Sequence, residues 1–364
     1  MTALASPLAP AATRRTLPEL HPLHFDLPPE LEAPAPPEAR GMTRDAVRMM
    51  VARRGDGSIV HSHFSELPRF LDEGDLVVLN TSGTLAAEVD AALPDGSPVQ
   101  VHLSTQLPAG LWTVELRRGG HAELGAAAGS VLALAGGGSV TLLAPYSPGP
   151  SGLGVRLWVS TIETEGALHT YLARHGRPIR YGYVRGAYPI GAYQNVYATE
   201  PGSAEMPSAG RPFTPEVLTR LVAKGVGVAP LLLHTGVASL EADEPPYAEY
   251  YRVSSSTAHR VNDTRVRGGR VIAIGTTVVR ALESVVDEHG RVHPAEGWTE
   301  TVVSPGRPVR SIDGFLTGWH EPEASHLAML EAIAGRPLLE ASYEAALAQG
   351  YLWHEFGDVH LILP

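Results

Sequence analysis

Val271-Ile272-Ala273-Ile274-Gly275-Thr276-Thr277-Val278-Val279-Arg280-Ala281-Leu282-Glu283 holds the pattern from which the fold is read. Four apolar, mostly β-branched residues in a row predict a short strand buried on both faces. Gly275 breaks the run, and Val278, Val279, Ala281 and Leu282 then recur at helical spacing. A strand, a tight turn and a helix start follow, with a threonine expected as the N-cap. The strand's carboxyl end and the helix's amino end meet at Gly275-Thr276-Thr277, where unpaired amides and hydroxyls favour a polar or anionic ligand. An ordinary βα turn of an α/β core gives the same pattern. Arg280 and Glu283 stand one turn apart and can pair on the helix surface.

Outward from this segment the chain keeps an α/β texture. Leu76-Val77-Val78-Leu79 is a second buried strand, with Asn80 at its carboxyl end, and Val228 to Leu233 is a third, ending at His234-Thr235-Gly236. A strand within Arg40 to Val51 and another at Ile59 to Phe64 flank Gly55-Asp56-Gly57, which predicts a hairpin. Helices are expected at Thr164–His175, Pro215–Lys224, Ser256–Val266, Ala324–Ala334 and Leu339–Gln349. From Leu85 to Ile162 short alternating segments separated by glycine and proline replace this pattern, as in a small antiparallel barrel. Gly136-Gly137-Gly138 is there a turn, since no helix follows it. The fold class expected is therefore α/β, a mixed α/β catalytic domain (23–84 and 163–364) interrupted by an inserted antiparallel β-barrel-like domain (85–162), behind a flexible leader (1–22). The tract from Pro178 to Pro215 is long, irregular and tyrosine-rich, the kind of ordered loop that carries function.

The 364 residues carry a formal net charge of −11, which argues against a general nucleic-acid coat but leaves room for a local basic groove. With no cysteine, disulfides, thiolate metal sites and cysteine nucleophiles are excluded. No signal peptide or membrane-spanning run is read, and a cytoplasmic monomer is expected.

The ordered set of motifs resembles the S-adenosylmethionine:tRNA ribosyltransferase-isomerase family of queuosine biosynthesis. Gly275 to Glu283 is similar to its G-T-T-x-V-R-x-L-E, and Gly74 to Asn80 to its G-D-L-L-V-F-N. Tyr193-Gln194-Asn195-Val196-Tyr197-Ala198 resembles Y-Q-T-V-Y-A, and Pro207-Ser208-Ala209-Gly210 before Phe213-Thr214 resembles P-T-A-G-L-H-F-T. Leu233-His234-Thr235-Gly236, His320 with Pro322-Glu323, and Phe356-Gly357-Asp358 match L-H-V-G, N-F-H-L-P-E and Y-G-D. The resemblance runs from about Phe25 to the end.

It implies an α/β domain with an inserted barrel, no metal, and S-adenosylmethionine as substrate. The implied reaction transfers the ribosyl moiety to the aminomethyl group of 7-aminomethyl-7-deazaguanine in tRNA. The sugar becomes an epoxycyclopentane, and adenine and methionine leave. His320, Glu249 and His234 are the candidate acid–base residues. Asn80, Tyr193, Gln194, Pro207, Gly210, Phe213, Gly236, Gly275, Thr276, Thr277 and Arg280 are the candidate substrate-binding residues. Tyr193, Tyr197 and Phe213 are candidates for stacking on a base, and Arg180, Arg185 and Arg211 for phosphate contacts.

Departures accompany the match. Gly83 and Glu88 stand where the family has arginines, Arg211-Pro212 where it has L-H, and Glu244 to Glu249 where it has H-x-M-H-x-E, of which Glu249 is kept. Trp353-His354-Glu355 replaces F-F-S. Since arginine is the residue suited to bidentate phosphate contacts, tRNA binding is the implication these changes touch. A paralogue acting on a small-molecule acceptor, or a non-catalytic nucleoside- or RNA-binding relative, are the alternative readings.

Overall fold

The computed structural model describes residues 23–148, 154–237, 247–322 and 324–364. The expected leader at 1–22, and Glu244, Pro245, Pro246 and Glu323 of the matched motifs, lie outside them.

In chain order the strands begin with β1 (Arg48–Arg53), β2 (Ile59–His63), β3 (Leu76–Asn80) and the short β4 (Ser82–Thr84). The barrel strands follow: β5 (Glu88–Ala92), β6 (Pro98–Gln106), β7 (Trp112–Arg118), β8 (His121–Ala122), β9 (Val131–Leu134), β10 (Ser139–Pro148) and β11 (Val155–Glu163). Then come β12 (Glu200–Ser203), β13 (Gly227–Leu233), β14 (Glu249–Val253), β15 (Val271–Ile274), β16 (Ala295–Thr299), β17 (Gly314–Gly318) and β18 (Val359–Leu363). The helices are α1 (Leu168–His175), α2 (Pro215–Ala223), α3 (Ser255–Val266), α4 (Thr276–Glu283), α5 (Ser325–Ala334) and α6 (Arg336–Ala348).

Nine strands form one mixed sheet in the order β16-β14-β13-β3-β15-β17-β18-β1-β2. Its middle, β13-β3-β15-β17, is parallel throughout. β1 and β2 form the expected antiparallel hairpin at one edge. Burial of both faces explains the unbroken apolar runs. Val271 and Ala273 pack into the core under α3 to α6, while Ile272 and Ile274 pack into the opposite core with Phe213, Val217 and Leu221. α2 and α3 start on side-chain caps, Thr214 accepting from the Val217 amide at 3.2 Å and Ser254 from the Thr257 amide at 3.1 Å. α4 does not: its N-cap is Gly275, at φ 90°, and Thr276 is already its first helical residue. The expected threonine cap is thereby corrected, because a backbone turning this sharply out of β15 needs a residue free of a Cβ.

The inserted segment closes into a six-stranded antiparallel barrel, β11-β10-β9-β5-β6-β7, sealed by β11 pairing with β7. Its interior holds Val89, Val101, Val114, Leu132, Leu142 and Leu157, and α1 adds Tyr171 and Leu172 to the same core. Gly136 to Gly138 all take positive φ in the β9–β10 turn. Among the described residues no helix is long and apolar enough to cross a membrane.

Candidate active site

The carboxyl ends of the parallel strands open into one cavity of about 570 Å³, where an open α/β sheet places its ligands. Each of β3, β13, β15 and β17 feeds a different loop to it or to its supports.

From β15 come Gly275, Thr276, Thr277 and, one turn later, Arg280, all in the cavity wall. Arg280 does not reach Glu283. Its guanidinium makes an ion pair with Glu249 and donates to the backbone carbonyls of Thr301 (3.2 Å), Tyr247 (3.3 Å) and Thr299 (3.3 Å). Glu249 also accepts from the Gly236 amide at 2.9 Å. Glu283 instead accepts from the Arg310 and Ser311 amides, at 2.9 and 2.8 Å, on the buried side. The surface pair expected from the i, i+3 spacing does not form, because both partners find buried hydrogen bonds.

From β17 come Thr317 and His320. His320 Nε2 is hydrogen-bonded to Thr317 Oγ1 at 2.9 Å, and its carbonyl accepts from Trp353 Nε1 at 3.0 Å. Its ring lies nearly parallel to that of His326, centroids 4.7 Å apart. Burial, and then the neighbouring His326, His354 and His360, hold the His320 imidazole well below the usual range. Burial and the Arg280 charge bring His326 down to about 4. Both rings are therefore neutral near pH 7.

Tyr193, Pro207 and Gly236 also line the cavity. Five expected residues stand behind the wall. Asn80 stitches β3 to β13, donating to the Leu233 carbonyl (2.8 Å) and accepting from its amide (3.0 Å), and it donates to Thr277 Oγ1 at 3.2 Å. Gln194 brackets the backbone of Thr84, accepting at 3.0 Å and donating at 2.7 Å. His234 is hydrogen-bonded through Nδ1 to Ser82 Oγ at 2.7 Å, and its ring lies over Gly202, where a Cβ would come within 2.3 Å. Gly210 lets Tyr197 pass so close that a Cβ would lie 1.7 Å from its hydroxyl. Phe213 is fully buried between Phe64 and Tyr197, in T-shaped contact with both, so it offers no face to a base.

Arg211 is likewise no phosphate contact: it is buried, donating to the Ala192 carbonyl at 2.8 Å and pairing with Glu38 at 2.7 Å. The two positions where family arginines are missing lie outside the cavity wall. Glu88, on β5, pairs with Arg177 at 2.6 Å and His102 at 3.1 Å, and Gly83 packs on Pro201.

The cavity also gathers residues that motif reading passed over: Tyr181, Tyr183, Glu205, His326, His354 and Glu355. His326 carried a signal, six residues after His320 at the start of a helix. The tyrosines lay in the irregular tract already marked as functional, and His354-Glu355 in the segment that departs from F-F-S.

Known proteins resemble this chain along most of its length. The family model described as "Queuosine biosynthesis protein" matches residues 20–362. The S-adenosylmethionine:tRNA ribosyltransferase-isomerase of Symbiobacterium thermophilum is 36% identical over 348 residues, covering 93% of this chain and 98% of its own. The protein of the same name from Moorella thermoacetica is 35% identical over 349 residues, with the same coverage. The crystal structure of S-adenosylmethionine tRNA ribosyltransferase from Thermotoga maritima matches with a TM-score of 0.51 at 27% identity, covering 93% of this chain and 99% of that one. With its motifs drawn from separate strands to one cavity, the chain belongs to the queuosine biosynthesis protein family.

Proposed function

We propose that this chain is an S-adenosylmethionine:tRNA ribosyltransferase-isomerase, acting on 7-aminomethyl-7-deazaguanine in tRNA to give epoxyqueuosine. The observation that carries the reading is the convergence of Gly275-Thr276-Thr277, Arg280 with Glu249, and His320 on one cavity.

The amino acid end of S-adenosylmethionine is a zwitterion, and the cavity offers a matching pair. Amides and hydroxyls at the start of α4, with Arg280, suit its carboxylate, and Glu249 suits its ammonium. Protons on carbon next to a sulfonium are acidic. A neutral imidazole at His320, its Nε2 held by Thr317, is the group we assign to remove one, with the electron pair staying beside sulfur. The acceptor amine then bonds to the ribosyl carbon, and rearrangement to the epoxycyclopentane expels adenine and methionine.

The deciding experiment incubates the purified protein with S-adenosylmethionine and a tRNA carrying the aminomethyl-deazaguanine at the wobble position. Adenine release, with epoxyqueuosine in the digested tRNA, is the expected result. S-adenosylmethionine binding without adenine release would overturn the reading.

A further inference from the structure

One wall of the cavity is built from groups to which the reaction above gives no part. Tyr181 and Tyr183 stack at 5.9 Å with 19° between their planes, and His354 stacks on Tyr183 at 3.9 Å and 11°. Each tyrosine hydroxyl donates to a carboxylate, Tyr181 to Glu205 and Tyr183 to Glu355 at 2.6 Å. His354, at φ 71°, has Nε2 towards Glu32 at 3.3 Å and Nδ1 towards Glu321 at 3.6 Å.

Glu355 is the telling member. A carboxylate withdrawn from water is costly unless a cation or several donors compensate it. Arg280 serves Glu249 in this way, and Arg211 serves Glu38. Among the described residues no arginine or lysine lies within ion-pair distance of Glu355; the Tyr183 hydroxyl donates to its Oε2, its own backbone amide hydrogen-bonds it, and His354 stands nearby. Burial raises its carboxyl above the usual range, with the Tyr183 hydrogen bond pulling partly back. Glu355 thus stands in the cavity wall as a half-buried carboxyl with no arginine or lysine partner among the described residues.

We propose that Glu355, oriented by Tyr183, seats the protonated primary amine of the acceptor and takes one proton from it, releasing the amine as nucleophile. This rests on the reading that the acceptor carries an aminomethyl group. An ammonium fits better than the sulfonium, which has no N–H to give a carboxylate. The methionine ammonium is held beside its own carboxylate at the Arg280–Glu249 end. The step is a proton transfer alone: an N–H bond breaks, its electron pair stays on nitrogen, and an O–H bond forms on Glu355. Tyr183 is a positioning residue, acting through Glu355.

The test compares equilibrium binding of free 7-aminomethyl-7-deazaguanine and its 7-hydroxymethyl analogue, in wild type, Glu355→Gln and Tyr183→Phe, with S-adenosylmethionine binding as the control for folding. A charge-assisted hydrogen bond predicts that wild type prefers the amine by about tenfold or more. Glu355→Gln loses that preference, Tyr183→Phe weakens it, and neither changes S-adenosylmethionine affinity. In turnover, the acceptor KM rises in Glu355→Gln and the defect narrows as pH climbs towards the amine's own pKa, where solution supplies free amine. The titratable groups that face Glu355 are Tyr183, His354, Glu321, Tyr181 and Tyr193. A preference retained in Glu355→Gln, or absent in wild type, overturns the proposal; so does a loss of S-adenosylmethionine affinity instead, which would assign the wall to the sulfonium. A preference that is present and lost on substitution, in a protein that releases no adenine with the tRNA, leaves the subsite standing and removes the tRNA reading.

Discussion

Glu249 and Arg280 form an ion pair in the cavity wall, their side chains 12% and 10% exposed, between strand β14 and helix α4. Glu249 is tied to β13 through the Gly236 amide, and Arg280 to three carbonyls of the opposing loops. The pair thus holds the two sides of the amino acid subsite together. Glu249→Gln leaves the arginine charge shielded from water without its counter-charge, a change that costs about 3 kcal/mol. We expect a lowered urea midpoint together with a raised KM for S-adenosylmethionine. A midpoint equal to wild type would show that the pair is merely solvated.

His320 carries a different expectation. Its side chain meets Thr317 and His326, and its backbone, not its ring, makes the contacts to Trp353 and Tyr343. His320→Gln should therefore fold and bind S-adenosylmethionine within a few-fold of wild type, while adenine release falls by about 10²–10⁴-fold, the usual share of a general base. Isothermal titration beside single-turnover chromatography separates the two. Turnover within a few-fold of wild type would remove His320 from the chemistry.

The strands, the hairpin and the barrel were legible because burial on two faces, or on alternating faces, writes itself into a residue run: Val271 to Ile274, Leu76 to Asn80, and the alternation of β6 and β7. Site membership was less so. A motif says that a position matters, not which way its side chain points. Asn80, Gln194 and His234 sit beside the cavity yet spend their polar atoms on backbone and serine partners within the protein. Phe213 faces Phe64 across a core that no local pattern reveals. The Tyr183–Glu355 contact joins residues 172 positions apart, and only the folded sheet brings the irregular tract onto the last loop.

Three histidines held neutral, two in the cavity wall and one in the core, set a pH limit on the fold. His320 lies well below the usual range, His326 near about 4, and His360, stacked on Trp319 at 4.8 Å, near about 3. Their folded pKa values lie below the unfolded value, so between about pH 6.5 and 4 the unfolded chain binds protons that the native one refuses. Stability from these groups is present above pH 6.5 and is lost as pH falls, at about 1 kcal/mol per pH unit for each. Glu355 works in the opposite sense, its raised carboxyl contributing stability at low pH that is lost as pH rises through its folded value. The histidines outnumber it, so the net slope is positive. Chemical denaturation from pH 7 to 4.5 should show it, and His360→Phe should flatten it by about one proton's worth. An unchanged slope in that variant would mean His360 is charged in the native state.

Gly275 joins the strand to the helix at φ 90° and ψ 157°, a region essentially closed to residues with a Cβ. A Cβ would also lie 3.3 Å from that of Ala209, beneath the loop that carries Pro207 and Ser208 to the cavity. Gly275→Ala must either hold this strained backbone, at about 1–3 kcal/mol, or rotate the peptide and re-aim the first amides of α4. Gly41 separates these effects. It too has positive φ, 79°, but nothing lies within 4 Å of a Cβ placed there, and it is not part of the cavity wall. Both alanine variants should melt below wild type, while only Gly275→Ala raises the KM for S-adenosylmethionine, by several-fold. If Gly275→Ala loses stability yet keeps its KM, the amides at the start of α4 do not hold the substrate, and its carboxylate must be assigned to Arg280 alone.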